Sequence, residues 1–251
     1  MKRNIINVII TVLVILALSF GYLAYIEYKP VIKSDTQNKV IKDLVVVETD
    51  NPIDRVIDFK ALKKINSDVI GWIYIPYTSV DYPVLRGSSI EEYLYKDIEG
   101  NYSPIGSIKV YPDTSDYMLD AHQFIFGHSM REFKMFGELR MYNEDREYRE
   151  NKNKMYIYTE RKSSEVELFS VFVCDYDDDI FNNYFEIGSS EYLERVNDIK
   201  SRNNFKDLVT KPNLDWVNSQ VYTLSCCSGG VGTPYRLLCN WVTVREKYLI
   251  D

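Results

Sequence analysis

Two adjacent cysteines at the end of a strand-like stretch are the first residues here that could carry out chemistry. Cys226 and Cys227 lie in VYTLSCCSGG, where β-branched and apolar residues lead into small residues and glycines. Side chains alternate between the two faces of a regular strand, so Thr223, Ser225 and Cys227 share one face and Cys226 lies on the other. At most one cysteine of the pair can therefore face a given site.

The cysteines lack the spacing of a metal site. A structural zinc ion needs four nitrogen or sulfur ligands, and this sequence has four cysteines, two histidines and no C-x-x-C pair. Cys174 and Cys239 lie inside hydrophobic strand candidates, where we expect small buried side chains. The acidic stretch DYDDD (175–179) does not have the ligand spacing of a calcium loop and is predicted to be a solvated loop.

One histidine and one arginine could cooperate with a cysteine nucleophile. His128 follows the strand candidate AHQFIF and Gly127, a residue that permits a turn at the strand end. The other histidine, His122, begins that strand and is expected at the surface. Arg236 follows Cys227 by nine residues, so a hairpin through the glycine-rich loop would bring the two together. A thiolate, a proton donor and a fixed cation for an oxyanion together form an acyl-transfer site.

The elements around these residues are predicted to be mostly short strands. The candidates are rich in aromatic and β-branched residues: DVIGWIYIP, VDYPVL, GSIKVYP, AHQFIFGH, KMYIYTE, EVELFSVFVCDY, QVYTLSC and YRLLCNWVTVRE. Two helices are predicted, one capped by Asp58 and one starting at the serines of SSEYLERVNDIKSRN, between two late strands. EFKMFGELRMY is at best a short helix, because Gly137 interrupts it. Without βαβ alternation, the fold class is mostly β, a barrel or a sandwich.

The N-terminal segment predicts a membrane anchor. Residues 5–26 carry no charge and are long enough to cross a bilayer as a helix. Two basic residues precede them, which favours a cytoplasmic N-terminus, and no convincing signal-peptidase site follows. The expected organisation is a cytoplasmic N-terminus (1–4), a transmembrane signal anchor (5–26), a linker (27–54) and one extracellular catalytic domain (55–251).

The overall charge argues against nucleic acid as a partner. The chain has 30 basic and 37 acidic residues, for a formal net charge of −7. Binding to phosphate backbones needs a basic surface. A peptide substrate is compatible with this composition.

The chemically competent segments, in their order along the chain, resemble the sortases, the membrane-anchored cysteine transpeptidases of Gram-positive bacteria. TLSCC resembles their T-L-x-T-C signature and is followed by the arginine strand RLLCNWV, while FIFGHSMREFKMFGELRMY resembles their histidine segment. INSDVIGWIYIPYTSVDYPVLRGSSIEEYLYKDIEGNYSPIGSI and the helix over 189–203 are similar to class B sortases in particular. The resemblance covers residues 57–245.

This resemblance implies a closed β-barrel of about eight strands, with N-terminal helices and an inserted helix before the catalytic strand. It implies that Cys227 attacks the carbonyl of a threonine in a C-terminal sorting motif of a secreted protein. Arg236, with a backbone N–H near Ser228, would stabilise the oxyanion, and His128 would protonate the leaving amine. A cell-wall precursor amine then resolves the thioester, and the chemistry requires no metal or cofactor. The expected substrate contacts are Thr223, Ser225 and Ser228.

The sequence departs from the family signature at Cys226, where threonine is usual. Alignment without a gap makes Cys227 the nucleophile, whereas a slip of one residue would make it Cys226. We favour Cys227, because Thr223 and Leu224 then keep their register without a bulge. Two other functions stay open. A papain-like amidase would hydrolyse its substrate and use an orienting Asn or Asp, and an anchored binding module would keep the fold without activity.

Overall fold

Eight strands close into a barrel in the computed structural model, which describes residues 2–182, 185–205, 208, 214–229 and 232–249. The strands are β1 (Val46–Val47), β2 (Val56–Ile57), β3 (Val69–Tyr74), β4 (Asp81–Leu85), β5 (Ile108–Lys109), β6 (His122–Phe126), β7 (Lys154–Tyr158), β8 (Lys162–Asp175), β9 (Val221–Cys227) and β10 (Tyr235–Tyr248). The α-helices are α1 (Lys2–Val45), α2 (Phe59–Ile65), α3 (Arg140–Glu144), α4 (Arg146–Asn151) and α5 (Ser190–Ser201). Short 3₁₀ turns span Pro52–Asp54, Asp116–Met118, Arg131–Phe133, Gly137–Leu139 and Asp179–Phe181.

The barrel order is β10-β8-β7-β3-β4-β5-β6-β9, and β9 pairs with β10 to close it. The pairs β4–β5 and β6–β9 are parallel, and the other neighbours are antiparallel. The predicted mostly-β fold with a closed barrel of about eight strands is confirmed. Closure leaves no free edge along the strands that carry the candidate site.

The barrel interior is packed with large apolar side chains. Trp241, Tyr222 and Phe136 are completely buried there. Along β9, Tyr222, Leu224 and Cys226 all belong to this interior cluster. The strand alternation predicted from the sequence therefore holds, and the intervening residues of β9 face outward.

Helix α5 covers part of the outer face next to β9. Its N-cap is Ser189, whose side chain accepts a hydrogen bond from the Tyr192 N–H at 3.1 Å. Val196 and Ile199 pack with outward-facing strand residues such as Phe124. The predicted helix between the late strands is thus present, and it determines how much of the outer face stays open.

Helix α1 continues well beyond the predicted membrane segment. The stretch 27–54 was expected to be a linker, but the helix runs to Val45 and is followed by the small β1–β2 sheet. Val31, Ile41 and Val45 are buried against the domain, and Ser34 Oγ donates to Ser103 Oγ at 2.9 Å. Pro30 lies inside this helix.

The N-terminal part of α1 is exposed and strongly apolar. Residues Arg3–Val45 form a helix that is long and apolar enough to cross a membrane, and none of its most apolar window is buried by the rest of the chain.

Candidate active site

A groove on the outer face of four adjacent strands brings the three predicted chemical residues together. Cys227, His128 and Arg236 all line this groove, which has a volume of about 260 Å³. The strands beneath it are β5, β6, β9 and β10, and the turn after β4 forms its other wall. The sequence predicted all three residues from their types and spacing.

The hairpin between β9 and β10 places Arg236 beside Cys227. Their Cα atoms are direct partners, and the register runs without a shift from Val221 opposite Val242 to Cys227 opposite Arg236. There is thus no bulge in β9 before the second cysteine. Because neighbouring strands lie about 4.8 Å apart, the guanidinium is within reach of an atom bound to the Cys227 sulfur.

The two cysteines differ strongly in their surroundings. Cys227 is exposed, whereas Cys226 retains 3% exposure and packs in the barrel interior. Burial raises the pKa of the Cys226 thiol to about 12, and the neighbouring Cys227 contributes in the same direction. Since the thiolate is the reactive form of cysteine, this environment favours Cys227 as the nucleophile. Cys174 and Cys239 are buried free thiols, as predicted.

His128 is held at the end of β6 by its neighbours. The Gly127 N–H donates to Ser225 O at 3.2 Å, which extends the β6–β9 ladder by one residue. A Cβ on Gly127 would lie 2.6 Å from Ile108 Cδ1 and 2.7 Å from Phe136 Cδ2, so a larger residue would require these buried side chains to shift. His128 Nε2 lies 2.8 Å from Leu94 O. A carbonyl only accepts hydrogen bonds, so Nε2 carries a proton and Nδ1 is the atom left for chemistry.

Burial lowers the pKa of His128 from its usual value. The hydrogen bond to Leu94 O opposes this effect by favouring the protonated ring, and the charge of Lys109 lowers the pKa further. A histidine whose pKa lies below its usual value releases its proton readily to a leaving amine.

Arg236 keeps most of its donors free. Its Nη1 donates to Thr233 O at 3.3 Å and to Tyr235 O at 3.0 Å. Within the described ranges, no carboxylate lies within 4 Å of its guanidinium. The remaining N–H groups are therefore available to a negatively charged oxygen in the groove.

Two residues lie deeper than expected. Thr223, expected to contact the substrate, is completely buried, and its Oγ1 donates to Asn240 Oδ1 at 2.6 Å. His122, expected at the surface, is also completely buried, with Nε2 2.8 Å from Thr223 Oγ1. Burial lowers the pKa of His122 to about 3, so this ring stays neutral. The outer-face cluster beside α5 covers β9 at this level, and the strand opens to the groove only beyond it.

The other two expected substrate contacts, Ser225 and Ser228, differ in their position relative to the groove. Ser225 lines the groove, and its buried Oγ has no hydrogen-bond partner within the residues that the structure describes. Ser228 does not line the groove, and its N–H donates to Tyr235 O at 3.0 Å. The expected oxyanion donor near Ser228 is therefore already engaged in the hairpin.

Sequence reasoning missed two residues that shape the groove. Leu94 contributes its backbone carbonyl, a role that no side-chain pattern reveals. Lys109 lies in a strand of only two residues, too short to show the alternation that would have placed its side chain on the groove side.

Comparison with known proteins gives two named relatives, and no protein-family model matches. Sortase B of Listeria monocytogenes is 36% identical over 86 residues, which is 34% of this chain and 35% of that protein. Sortase B of Staphylococcus aureus is 26% identical over 231 residues, covering 90% of this chain and 91% of the relative. The first alignment is local, whereas the second spans nearly the whole of both proteins.

Solved structures with the same fold include several sortase B enzymes. Clostridium perfringens sortase B matches with a TM-score of 0.67 and 25% identity, over 75% of this chain and 100% of that one. A Staphylococcus aureus sortase B–substrate complex matches with a TM-score of 0.66 and 22% identity, over 90% and 98%. A sortase B complex with triglycine matches with a TM-score of 0.65 and 24% identity, over 74% and 85%.

Proposed function

Because this chain belongs to the class B sortases and is a sortase-type cysteine transpeptidase, we propose that Cys227, His128 and Arg236 carry out its reaction. The observation that supports this assignment is the groove itself. Cys227 and Arg236 are paired across two strands, His128 lines the same groove, and Cys226 packs in the core. A nucleophile, a proton donor and an oxyanion donor therefore surround one open space.

The first half-reaction forms a thioester. The Cys227 thiolate attacks the carbonyl carbon of a threonine in the sorting motif, and the carbonyl oxygen becomes an oxyanion. The free N–H groups of Arg236 stabilise that charge, since the Ser228 N–H is already bonded to Tyr235 O. When the C–N bond breaks, protonated His128 transfers its proton to the leaving amine. The acyl group stays on the sulfur.

The second half-reaction transfers the acyl group. Neutral His128 accepts a proton from the incoming amine, which attacks the thioester carbonyl. The new C–N bond forms as the C–S bond breaks, and the Cys227 thiolate is regenerated. Ser225 lines the groove, and its buried Oγ has no partner among the described residues, so it is proposed to hydrogen-bond the bound peptide.

The partners proposed for this reaction are the sorting motif of a secreted surface protein and a cell-wall precursor amine. The solved sortase B complexes with substrate and with triglycine support a peptide donor and an amine acceptor. The proposed chemistry requires no metal or cofactor.

The proposed location is the cell membrane, with a single span and the catalytic domain outside. Residues 5–26 would cross the bilayer and 1–4 would lie in the cytoplasm. The length and apolar character of α1 support a span, and the two basic residues at its start support the orientation. Residues 55–251 remain the proposed catalytic domain, to which residues 27–45 add a packed helix.

The test uses the full chain in detergent, a set of threonine-containing sorting peptides and a triglycine acceptor. We expect mass spectrometry to show an acyl adduct on the wild type and on Cys226→Ala, but not on Cys227→Ala. Cys226→Ala is the matched control, since Cys226 is adjacent to Cys227 and also lines the groove but is buried. An adduct that requires Cys226 would contradict the assignment.

The products formed with and without the acceptor amine distinguish a transpeptidase from an amidase. A transpeptidase joins the acyl group to triglycine, whereas an amidase gives only the free acid. If no peptide forms an adduct and alkylating reagents leave Cys227 unmodified, the proposed chemistry is wrong and the result favours an inert binding module.

A further inference from the structure

Lys109 lies on the groove face of the barrel, two strands away from the candidate nucleophile. Its Cα is the direct partner of Phe126 on β6, and Phe126 is in turn the partner of Ser225 on β9. Lys109, Phe126 and Ser225 thus form one row across three strands, and all three line the groove that contains Cys227. With about 4.8 Å between strands, the Cα atoms of Lys109 and Ser225 are about 10 Å apart.

This lysine is buried without a carboxylate partner. The chain buries two lysines almost completely within its described residues, Lys109 with 6% exposure and Lys162 with 4%. Lys162 Nζ lies 2.5 Å from Glu246 Oε1 and also donates to Gln220 Oε1. Lys109 Nζ donates only to the backbone carbonyl of Ile90, and no carboxylate of the described residues lies within 4 Å of it. A buried cation normally has a partner of opposite charge, so Lys109 is the exception.

The Lys109 side chain, which lines the groove, has unused hydrogen-bond donors. An ammonium group has three N–H donors, and the carbonyl of Ile90 uses one of them. Burial lowers the pKa of Lys109 to about 8, and Glu91 on the groove wall opposes this shift. The group is therefore still mainly charged at neutral pH, and a carboxylate bound in the groove would supply the counter-charge that the described residues do not provide within 4 Å.

We propose that Lys109 binds the carboxylate of an Asp or Glu side chain in the sorting peptide, and so selects acidic sorting motifs. This inference rests on the proposed function, since it assumes that the groove holds the acyl-donor peptide. An extended peptide advances about 3.3 Å per residue, and a lysine side chain reaches about 6 Å. The acidic residue then lies within about three positions of the threonine at which the chain is cleaved. Arg236 on the other side of Cys227 stays available for the oxyanion.

The experiment measures selectivity as the Glu/Gln ratio, which is kcat/KM for a peptide with Glu divided by kcat/KM for the same peptide with Gln. The full chain in detergent receives paired peptides that carry Glu or Gln at each motif position in turn, with triglycine as acceptor. We expect one position at which the wild type has a kcat/KM about tenfold or more higher for the Glu peptide. Lys109→Met should reduce this Glu/Gln ratio to about one, and Lys109→Arg should keep most of it.

The control variant is Lys96→Met, which removes an equal charge from the segment after β4 at a residue that is not among those lining the groove. The Lys96 side chain is exposed and pairs with Glu92, so the Glu/Gln ratio should not change. A wild-type ratio near one at every position would overturn the proposal, as would an unchanged ratio in Lys109→Met. A preference for Glu over Gln that appears only when the carboxylate is on the acceptor amine, and not on the sorting peptide, would also overturn the proposal. If peptides of both kinds are joined to triglycine equally well, the proposed function stands and only the role of Lys109 fails.

The pH dependence of the ratio gives a second test that needs no variant. The charged or titratable groups around Lys109 are Glu91 and Tyr93 in the turn after β4, His128 after β6, Cys227 on β9 and Arg236 on β10. Changes in Cys227 and His128 affect both peptides equally and cancel in the ratio. As the pH rises through about 8, Lys109 loses its charge, so the wild-type ratio should fall. The ratio of Lys109→Arg should stay constant, and a wild-type ratio that does not change with pH would contradict the proposal.

Discussion

Thr223 and Ser225 lie two residues apart on the same face of β9, yet they have different surroundings. Thr223 bridges His122 and Asn240 beneath the cluster packed by α5. Ser225 lies just beyond that cover and lines the groove, and its Oγ is buried. The face of a strand therefore does not decide whether a residue can meet a ligand, because the covering helix sets that limit.

Substitution of these two residues should separate stability from activity. Thr223→Val leaves His122 Nε2 and Asn240 Oδ1 without a buried partner, so we expect a loss of about 2–4 kcal/mol in the free energy of unfolding. The kcat/KM of the folded enzyme should stay near that of the wild type. Ser225→Ala should leave stability almost unchanged and lower kcat/KM severalfold. Denaturant unfolding and peptide kinetics measure the two effects.

The opposite result would indicate that Thr223 contacts the substrate. A loss of kcat/KM in Thr223→Val at unchanged stability would mean that its hydroxyl reaches the peptide, contrary to its burial. An unaffected kcat/KM in Ser225→Ala would remove Ser225 from the proposed contacts.

The segment after His128 is a tightly folded element that depends on one glycine. Glu132, Phe133 and Met135 all have positive φ angles of 53–58°, a conformation that non-glycine residues rarely adopt. The Phe136 N–H donates to His128 O at 2.9 Å, which ties this segment to the histidine. A Cβ on Gly137 would lie 1.8 Å from Met130 O, so the fold requires glycine at this position.

Replacement of Gly137 should disturb the position of His128 through the segment that connects the two residues. Gly137→Ala forces the Met130 carbonyl to move, and we expect a lower melting temperature and a kcat/KM reduced by about tenfold to a hundredfold. The control is Gly100→Ala, which has a φ of +82° but meets no atom within 4 Å. It should cost about 1 kcal/mol of stability without an effect on kcat/KM. Equal kinetics in both variants would show that the segment does not position His128.

Sequence reasoning predicted the elements well where a local pattern specifies them. Aromatic and β-branched runs located the barrel strands, Asp58 and Ser189 located two helix starts, and alternation placed Cys226 and Cys227 on opposite faces.

Sequence reasoning did not predict contacts between distant segments. Gly137 was read as a helix breaker, although its role is the close approach to Met130 O. Burial of His122 follows from packing by a helix about 70 residues away in sequence, which no local pattern reports.

At the scale of the whole molecule, the C-terminal part of α1 belongs to the folded domain. Val31 packs with the barrel interior cluster, and Ile41 and Val45 pack with α2 and β3. Lys42 Nζ lies 2.6 Å from Asp81 Oδ2, and Asp81 is also bound by Arg55. The helix therefore joins the domain through both apolar burial and ion pairs.

Two truncations should distinguish this packed helix from a linker. A chain lacking residues 2–26 keeps all of these contacts, so we expect a melting temperature close to that of the full chain. A chain lacking residues 2–45 loses three buried side chains worth about 1.5–3 kcal/mol each, which should lower the melting temperature by at least about 5 °C. Thermal unfolding monitored by fluorescence is the measurement. Equal melting temperatures would mean that residues 27–45 contribute no stability.

An unbroken α1 also fixes the distance between the groove and the lipid surface. With residues 5–26 in the bilayer, as proposed, the five residues from there to Val31 advance only about 7 Å before the helix meets the domain. Catalysis then takes place at one fixed height above the lipid headgroups. We therefore expect a client protein to be processed most efficiently when the spacer between its cleavage point and its own membrane segment places that point at the same height. Spacer length would then contribute to substrate selection in addition to the sorting motif.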